Sequence, residues 1–104
     1  MPVNTGRSWG FLTNHALVLA CIAHDRGIRM RDIAEKLGIT ERAAHRVVTE
    51  LAVAGYITRQ RNGRRNHYTI NAHLPLRDAI TGDQNIWELL EILTGTPMHV
   101  QAAR

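Results

Sequence analysis

Apolar residues recur along this chain with helical spacing in four places and with strand spacing in one. The run ALVLACIA, residues 16–23, is apolar on every side, the pattern of a helix sandwiched between neighbours. Thr13 or Asn14 can cap its start, and Arg26-Gly27 ends it just after Asp25. Ile28-Arg29-Met30 reads as a short extended link. RDIAEKLG, residues 31–38, then places Ile33, Ala34 and Leu37 on one helical face and stops at Gly38. ITERAAHRVVTELAVAG, residues 39–55, follows at once. Thr40 is a good N-cap and Glu41 suits the positive first turn. Ala44, Val47, Val48 and Leu51 share a face, and Gly55 ends the helix.

The period changes to two in YITRQRNGRRNHYTI, residues 56–70, which reads as a β-hairpin around Asn62-Gly63. With those two residues as the loop, Arg61 opposes Arg64 and Ile57 opposes Tyr68. Ile57, Tyr68 and Ile70 then form an apolar base, and Arg59, Arg61, Arg64 and Asn66 carry the same face out to a charged tip. Residues 71–82 are expected to be an irregular connection around Pro75. DQNIWELLEILTG, residues 83–95, is a final helix from Asp83 to Gly95. Ile86, Leu89, Leu90 and Leu93 form its stripe, broadened by Trp87 and Ile92, and Pro97 stops any continuation. Residues 1–11 read as an arm in which Trp9 and Phe11 need cover.

Helix, short strand, helix-turn-helix, two-stranded hairpin and C-terminal helix make a mainly α fold with a small β-hairpin. That is the order of a winged helix-turn-helix. The 104 residues form one such domain, with the helix-turn-helix at 31–54, the wing at 56–70 and the last helix at 83–95. The core is expected from Leu17, Ile33, Leu37, Val48, Leu51, Ile57 and Tyr68.

Charge sharpens the picture. The net is +4, and its distribution is uneven. Residues 40–70 hold six arginines against Glu41 and Glu50, whereas residues 71–104 hold more acids than bases. A positive field concentrated in the middle third fits a polyanion-binding face. The single cysteine, Cys21, permits no disulfide within the chain and fits a reducing, cytoplasmic setting. The eight-residue apolar run is far short of the ~20 residues of a membrane span, and no membrane partner is expected.

Within residues 12–95, the segment IAEKLGITERAAHRVVTELAVAGYITRQRNGRRNHYTI resembles small winged-helix transcriptional regulators of the MarR-like superfamily. The block ITERAA with the following AGY, and GRRN with the Tyr after it, carry the resemblance. It implies sequence-specific binding to double-stranded DNA. One departure is Arg29, where relatives often place Ser or Thr to cap the second helix. Full MarR proteins also carry longer flanking helices, so their effector pocket is not carried over.

Arg42 and Arg46, one turn apart on helix 41–54, are base-reading candidates, since Arg matches guanine O6 and N7 with two bonds. His45 and Thr49 share that face, and Thr40 with the free amides of the first turn suits a phosphate. On the wing, Arg64 and Arg65 are the main candidates for a phosphate or the minor groove, supported by Arg59, Arg61, Asn62 and Asn66. The plain alternative for Arg42 and Arg46 is a solvated face paired with Glu41 or Glu50. A winged helix can also serve as a protein-interaction or RNA-binding module without operator specificity. Arg on both the recognition helix and the wing argues against that.

Catalysis is not expected: Ser8 is the only serine and lies in the arm. The six histidines make no His-x3-His pair, so no metal or cofactor is expected, although Cys21 and His24 share a helical face. The apolar surplus in Trp9, Phe11, Ile86, Trp87, Leu90 and Leu93 points to a homodimer, and a two-fold dimer to an inverted-repeat site. An effector, the operator and the sign of regulation leave no trace in the sequence.

Overall fold

The computed structural model of the protein describes residues 10–77 and 80–95; Trp9, the arm before it and Pro97 lie outside them. Thr13 is the first cap. Its Oγ1 accepts the Ala16 N–H at 3.3 Å, and α1 (Asn14–His24) runs from there. Val18, Leu19 and Ile22 of α1 are buried, with Cys21 and Ala23 packed beside them.

α2 (Met30–Leu37) begins at Arg29, whose side chain makes no capping bond. Its other end is closed well. Gly38 takes φ +72°, and the Ile39 N–H folds back onto the Ala34 carbonyl at 3.0 Å. Thr40 Oγ1 then accepts the Ala43 N–H at 3.0 Å and opens α3 (Glu41–Val53), which buries Ala44, Val47, Val48 and Leu51.

β1 (Ile57–Asn62) and β2 (Arg65–Ile70) form a two-stranded antiparallel sheet. Its register differs from the expected one. Asn62 pairs with Arg65 and Ile57 with Ile70, so the loop residues are Gly63 and Arg64. Two physical causes favour this. Gly63 takes φ +68° and Arg64 does not have a positive φ, the type II′ pattern, whereas an Asn-Gly turn of type I′ needs both residues positive. The observed register also sets Arg61 against Asn66, so no Arg directly opposes another. Relative to the expected pairing each partner moves by two, so every side chain keeps its face. Ile57, Tyr68 and Ile70 are buried, and Arg59, Arg61 and Asn66 continue that face outward. The short strand expected at 28–30 does not form, because Met30 already belongs to α2. The preceding loop gives the hairpin a single backbone bond, from the Tyr68 N–H to the Arg26 carbonyl at 2.9 Å.

The connection after β2 is more ordered than its composition suggests. The Tyr56 hydroxyl donates to the Pro75 carbonyl at 2.6 Å and Asn71 Nδ2 to the Gly55 carbonyl at 2.6 Å. Arg77 Nη2 donates to the Ala54 carbonyl at 2.8 Å, with its guanidinium 5.0 Å from the Tyr56 ring centre. The Asn71 and Arg77 bonds satisfy carbonyls at the C-terminal end of α3, where a cation is also favoured. Further on, the Leu76 N–H reaches the Gln84 carbonyl at 3.0 Å and the Ile86 N–H the Leu74 carbonyl at 2.9 Å. Asn85 is thereby held extended, bridged to Pro75. The last helix, α4 (Ile86–Thr94), therefore starts after Asn85 and not at Asp83, and the Glu88 carboxylate accepts the Asn85 backbone N–H at 3.0 Å.

α1 contacts α2, α3, α4 and β2, and α4 lies against α1. Ile86 (2% exposed) and Leu90 (0%) belong to this monomer core, which removes both from the expected dimer surface. Trp87 is half-buried and packs against the core, and Leu93 is half-buried. Phe11 and Ile92, by contrast, are 92% and 80% exposed.

The helix-turn-helix depends on the left-handed residue between α2 and α3. No atom lies within 4 Å of the position a Cβ on Gly38 would take, so Gly38→Ala meets no clash and carries only a backbone penalty. It is expected to lower unfolding free energy by about 1–2 kcal/mol, read from urea denaturation. An unchanged midpoint would show that the turn can adopt another backbone form at no cost.

Candidate nucleic-acid interface

The stripe that α3 buries leaves the opposite face to solvent. Arg42, His45, Arg46 and Thr49 all lie there and are exposed. The Arg42 and Arg46 guanidinium groups make no hydrogen bond or ion pair with another described residue. Of the two candidate acids, Glu50 is engaged elsewhere, its Oε1 meeting His15 Nε2 of α1 at 2.7 Å, and Glu41 forms no ion pair with either arginine. Thr40 uses its oxygen as the α3 cap, which leaves its hydroxyl hydrogen able to donate.

Only three residues separate α3 from β1, so the wing leaves directly from the end of that helix, and the two elements touch. Arg59, Arg61 and Arg64 are exposed, and among the described residues their guanidinium groups have no partner. Asn62 pairs with Arg65 at the last rung of the ladder, and Asn66 is half-buried. Arg65 differs from its neighbours: its Nη2 donates to the Gly27 carbonyl in the loop between α1 and α2. With the Tyr68–Arg26 bond, this ties β2 to that loop at two points. Sequence reasoning grouped Arg65 with Arg64, because adjacent arginines in a turn look alike until the register separates them. The His15–Glu50 pair, 35 positions apart in the chain, was likewise not foreseen.

Other chemistry is sparse. Burial pushes the Cys21 thiol above its ordinary range, and Lys36 offsets this only in part, so the reactive thiolate is disfavoured. Among the described residues no group of three His, Cys, Asp or Glu side chains could hold a metal ion. No described helix is long and apolar enough to cross a membrane.

Two helices across a glycine turn, the second with an exposed cationic face, followed by an arginine-tipped hairpin, define a winged helix-turn-helix. The sequence signature of the MarR family matches residues 9–65, more than half of the chain, and the chain belongs to that family. Solved structures agree on the fold. MepR, a transcription regulator of the Staphylococcus aureus multidrug efflux pump MepA, superposes with a TM-score of 0.53 at 17% identity over 88% of this chain. The PcaV transcriptional regulator from Streptomyces coelicolor, in complex with its natural ligand, gives 0.53 at 22% identity over 96%. This chain spans 61% of the MepR chain and 73% of the PcaV chain. Comparison with curated proteins gives no match.

Because Arg42 and Arg46 are exposed and unpartnered, they contribute little to the fold itself. Arg42→Ala and Arg46→Ala are each expected to change unfolding free energy by no more than about 0.5 kcal/mol, measured by chemical denaturation. A loss well above that would reveal an intramolecular role and weaken their assignment to a binding surface.

Proposed function

We propose that this protein is a DNA-binding transcriptional regulator that sets α3 in the major groove and the wing against the adjacent phosphate backbone or minor groove. The observation that carries the reading is the set of unpartnered guanidinium groups, Arg42 and Arg46 on α3 with Arg59, Arg61 and Arg64 on the wing. Exposed cations without intramolecular acceptors are available to a polyanion. Family membership and the two regulators that share the fold support the same reading. In it, Arg42 and Arg46 read base edges, His45, Thr49 and Thr40 support them, and Arg64 leads the wing contacts.

The two surfaces have different signatures in a binding assay. Arg64→Ala is expected to weaken binding to every duplex and to reduce the log–log salt slope by about 0.9 for the lost phosphate contact. Arg46→Ala is expected to relax preference at one base position while leaving nonspecific binding nearly intact. Fluorescence anisotropy on selected and random duplexes at several salt concentrations reads both. Equal affinity and slope in all three proteins would end the proposal.

The regulator acts as a two-fold homodimer, with recognition helices about 34 Å apart on an inverted repeat. The exposure of Ile92 on the outer side of α4 supports this, since a large apolar side chain left in water favours a covering partner. Ile92→Glu, on the outward side of α4, is expected to give a folded monomer with reduced operator affinity by sedimentation and anisotropy. Wild type sedimenting as a monomer at micromolar concentration would refute the dimer.

A further inference from the structure

A cavity of about 170 Å³ opens between the loop joining α1 to α2 and the turn of the wing, with residues 27–30 on one side and Arg64, Arg65 and Asn66 on the other. That is far more than the ~10–15 Å³ one water needs and less than the ~300–1,000 Å³ of sites for drug-sized molecules. Its size suits one small polar group. Arg29, Arg64 and Arg65 all line it, and no carboxylate does. Asp25, in the same loop, has its Oδ1 engaged by the Gly27 N–H at 3.0 Å.

Two features make the cavity more than a gap between charged side chains. The Arg65 guanidinium is held by the Gly27 carbonyl, so it is fixed in the wall while most of its N–H donors stay unused. Along the opposite wall lies Met30, where α2 starts without a side-chain cap, and its backbone N–H, like that of Arg31 behind it, donates to nothing among the described residues. A preset guanidinium, two further arginines and unfilled amides at the positive end of a helix share one ligand preference, an oxyanion with several acceptor oxygens.

We propose that this cavity binds a phosphate group, held by Arg65, Arg29 and Arg64 and by the first amides of α2. The site does not depend on base reading by α3. A backbone phosphate of a duplex and a free phosphorylated molecule offer the same chemistry, and the experiment separates them. The full chain is titrated with inorganic phosphate at constant ionic strength, with chloride as the matched control, and followed by amide NMR. Shifts are expected to concentrate at residues 27–31 and 63–66, and Arg29→Gln is expected to weaken the response about tenfold, the loss of one charge-assisted contact. Arg64→Gln serves as an independent second variant. A short duplex is then added. Displacement of phosphate, with a salt slope lower by about 0.9 in Arg29→Gln, assigns the site to the DNA backbone. Retained phosphate with an unchanged slope assigns it to a free anion. Arg42→Ala leaves the phosphate response intact whatever it does to duplex binding, so failure of the operator reading is visible separately. No localised shift in the NMR titration, together with unchanged duplex affinity and slope in Arg29→Gln, overturns the proposal.

Discussion

Val18 and Ile22 have no surface left in contact with water, and that constraint governs where the other elements sit. A fully buried side chain of this kind contributes about 1.5–3 kcal/mol, but only if neighbours surround it. α2 and α3 cover part of α1, β2 covers another part, and α4 supplies Ile86 and Leu90 from the far end of the chain. α1 is short and apolar nearly all round, so it is not stable without this enclosure. The last helix is therefore a structural part of the monomer first. Whatever it offers a partner comes from its outer side.

The wing obeys a related logic. A two-stranded hairpin is marginal in water by itself, and this one carries four arginines within residues 59–65. Its stability comes from the base, where Ile57, Tyr68 and Ile70 enter the common core. The Arg65–Gly27 and Tyr68–Arg26 bonds then fix β2 against the α1–α2 loop. The tip is left to carry charge without having to carry structure.

Much of this could be read from the sequence because the signals were local. The α2 and α3 stripes, Thr40, Gly38 and the apolar base of the hairpin follow from spacing and from single-residue chemistry. The features that escaped depend on partners far along the chain or on backbone angles. Asn62-Gly63 located the hairpin but not its turn, since the choice between two loop pairs rests on which residues take positive φ and on how charges oppose. Asp83 looked like a cap until residues 74–76 paired with 84–86 and moved the start to Ile86. Ile86 and Leu90 looked like surplus because the demand of α1 for a fourth neighbour does not show in their own stripe. On the candidate interface, residue identity was legible and partnership was not: nothing in the string RQRNGRRN separates a strapped Arg65 from an unpartnered Arg64.

That separation between arginines bears on how a fold and a binding surface share one residue type. Arg65 and Arg77 each give a hydrogen bond to a backbone carbonyl, and both secure a loop. Arg42, Arg46, Arg59, Arg61 and Arg64 have no such acceptor, so their mutual repulsion is uncompensated in the free protein. The cost is small, because exposed like charges one helical turn apart destabilise by only about 0.2–0.5 kcal/mol, and those further apart than about 8–10 Å are largely screened at ordinary salt. The same screening means that they gain little from one another or from distant acids. A compensating gain arises only when a dense array of negative charge comes within contact distance and its condensed counterions are released. An arginine that the fold leaves unpaired is thus inexpensive to keep and available to a polyanion, whereas one bonded to a carbonyl must first give that bond up or bind with its remaining donors. Arg65 is in the second position, with one bond made inward and the rest of its fork open to the cavity beside it.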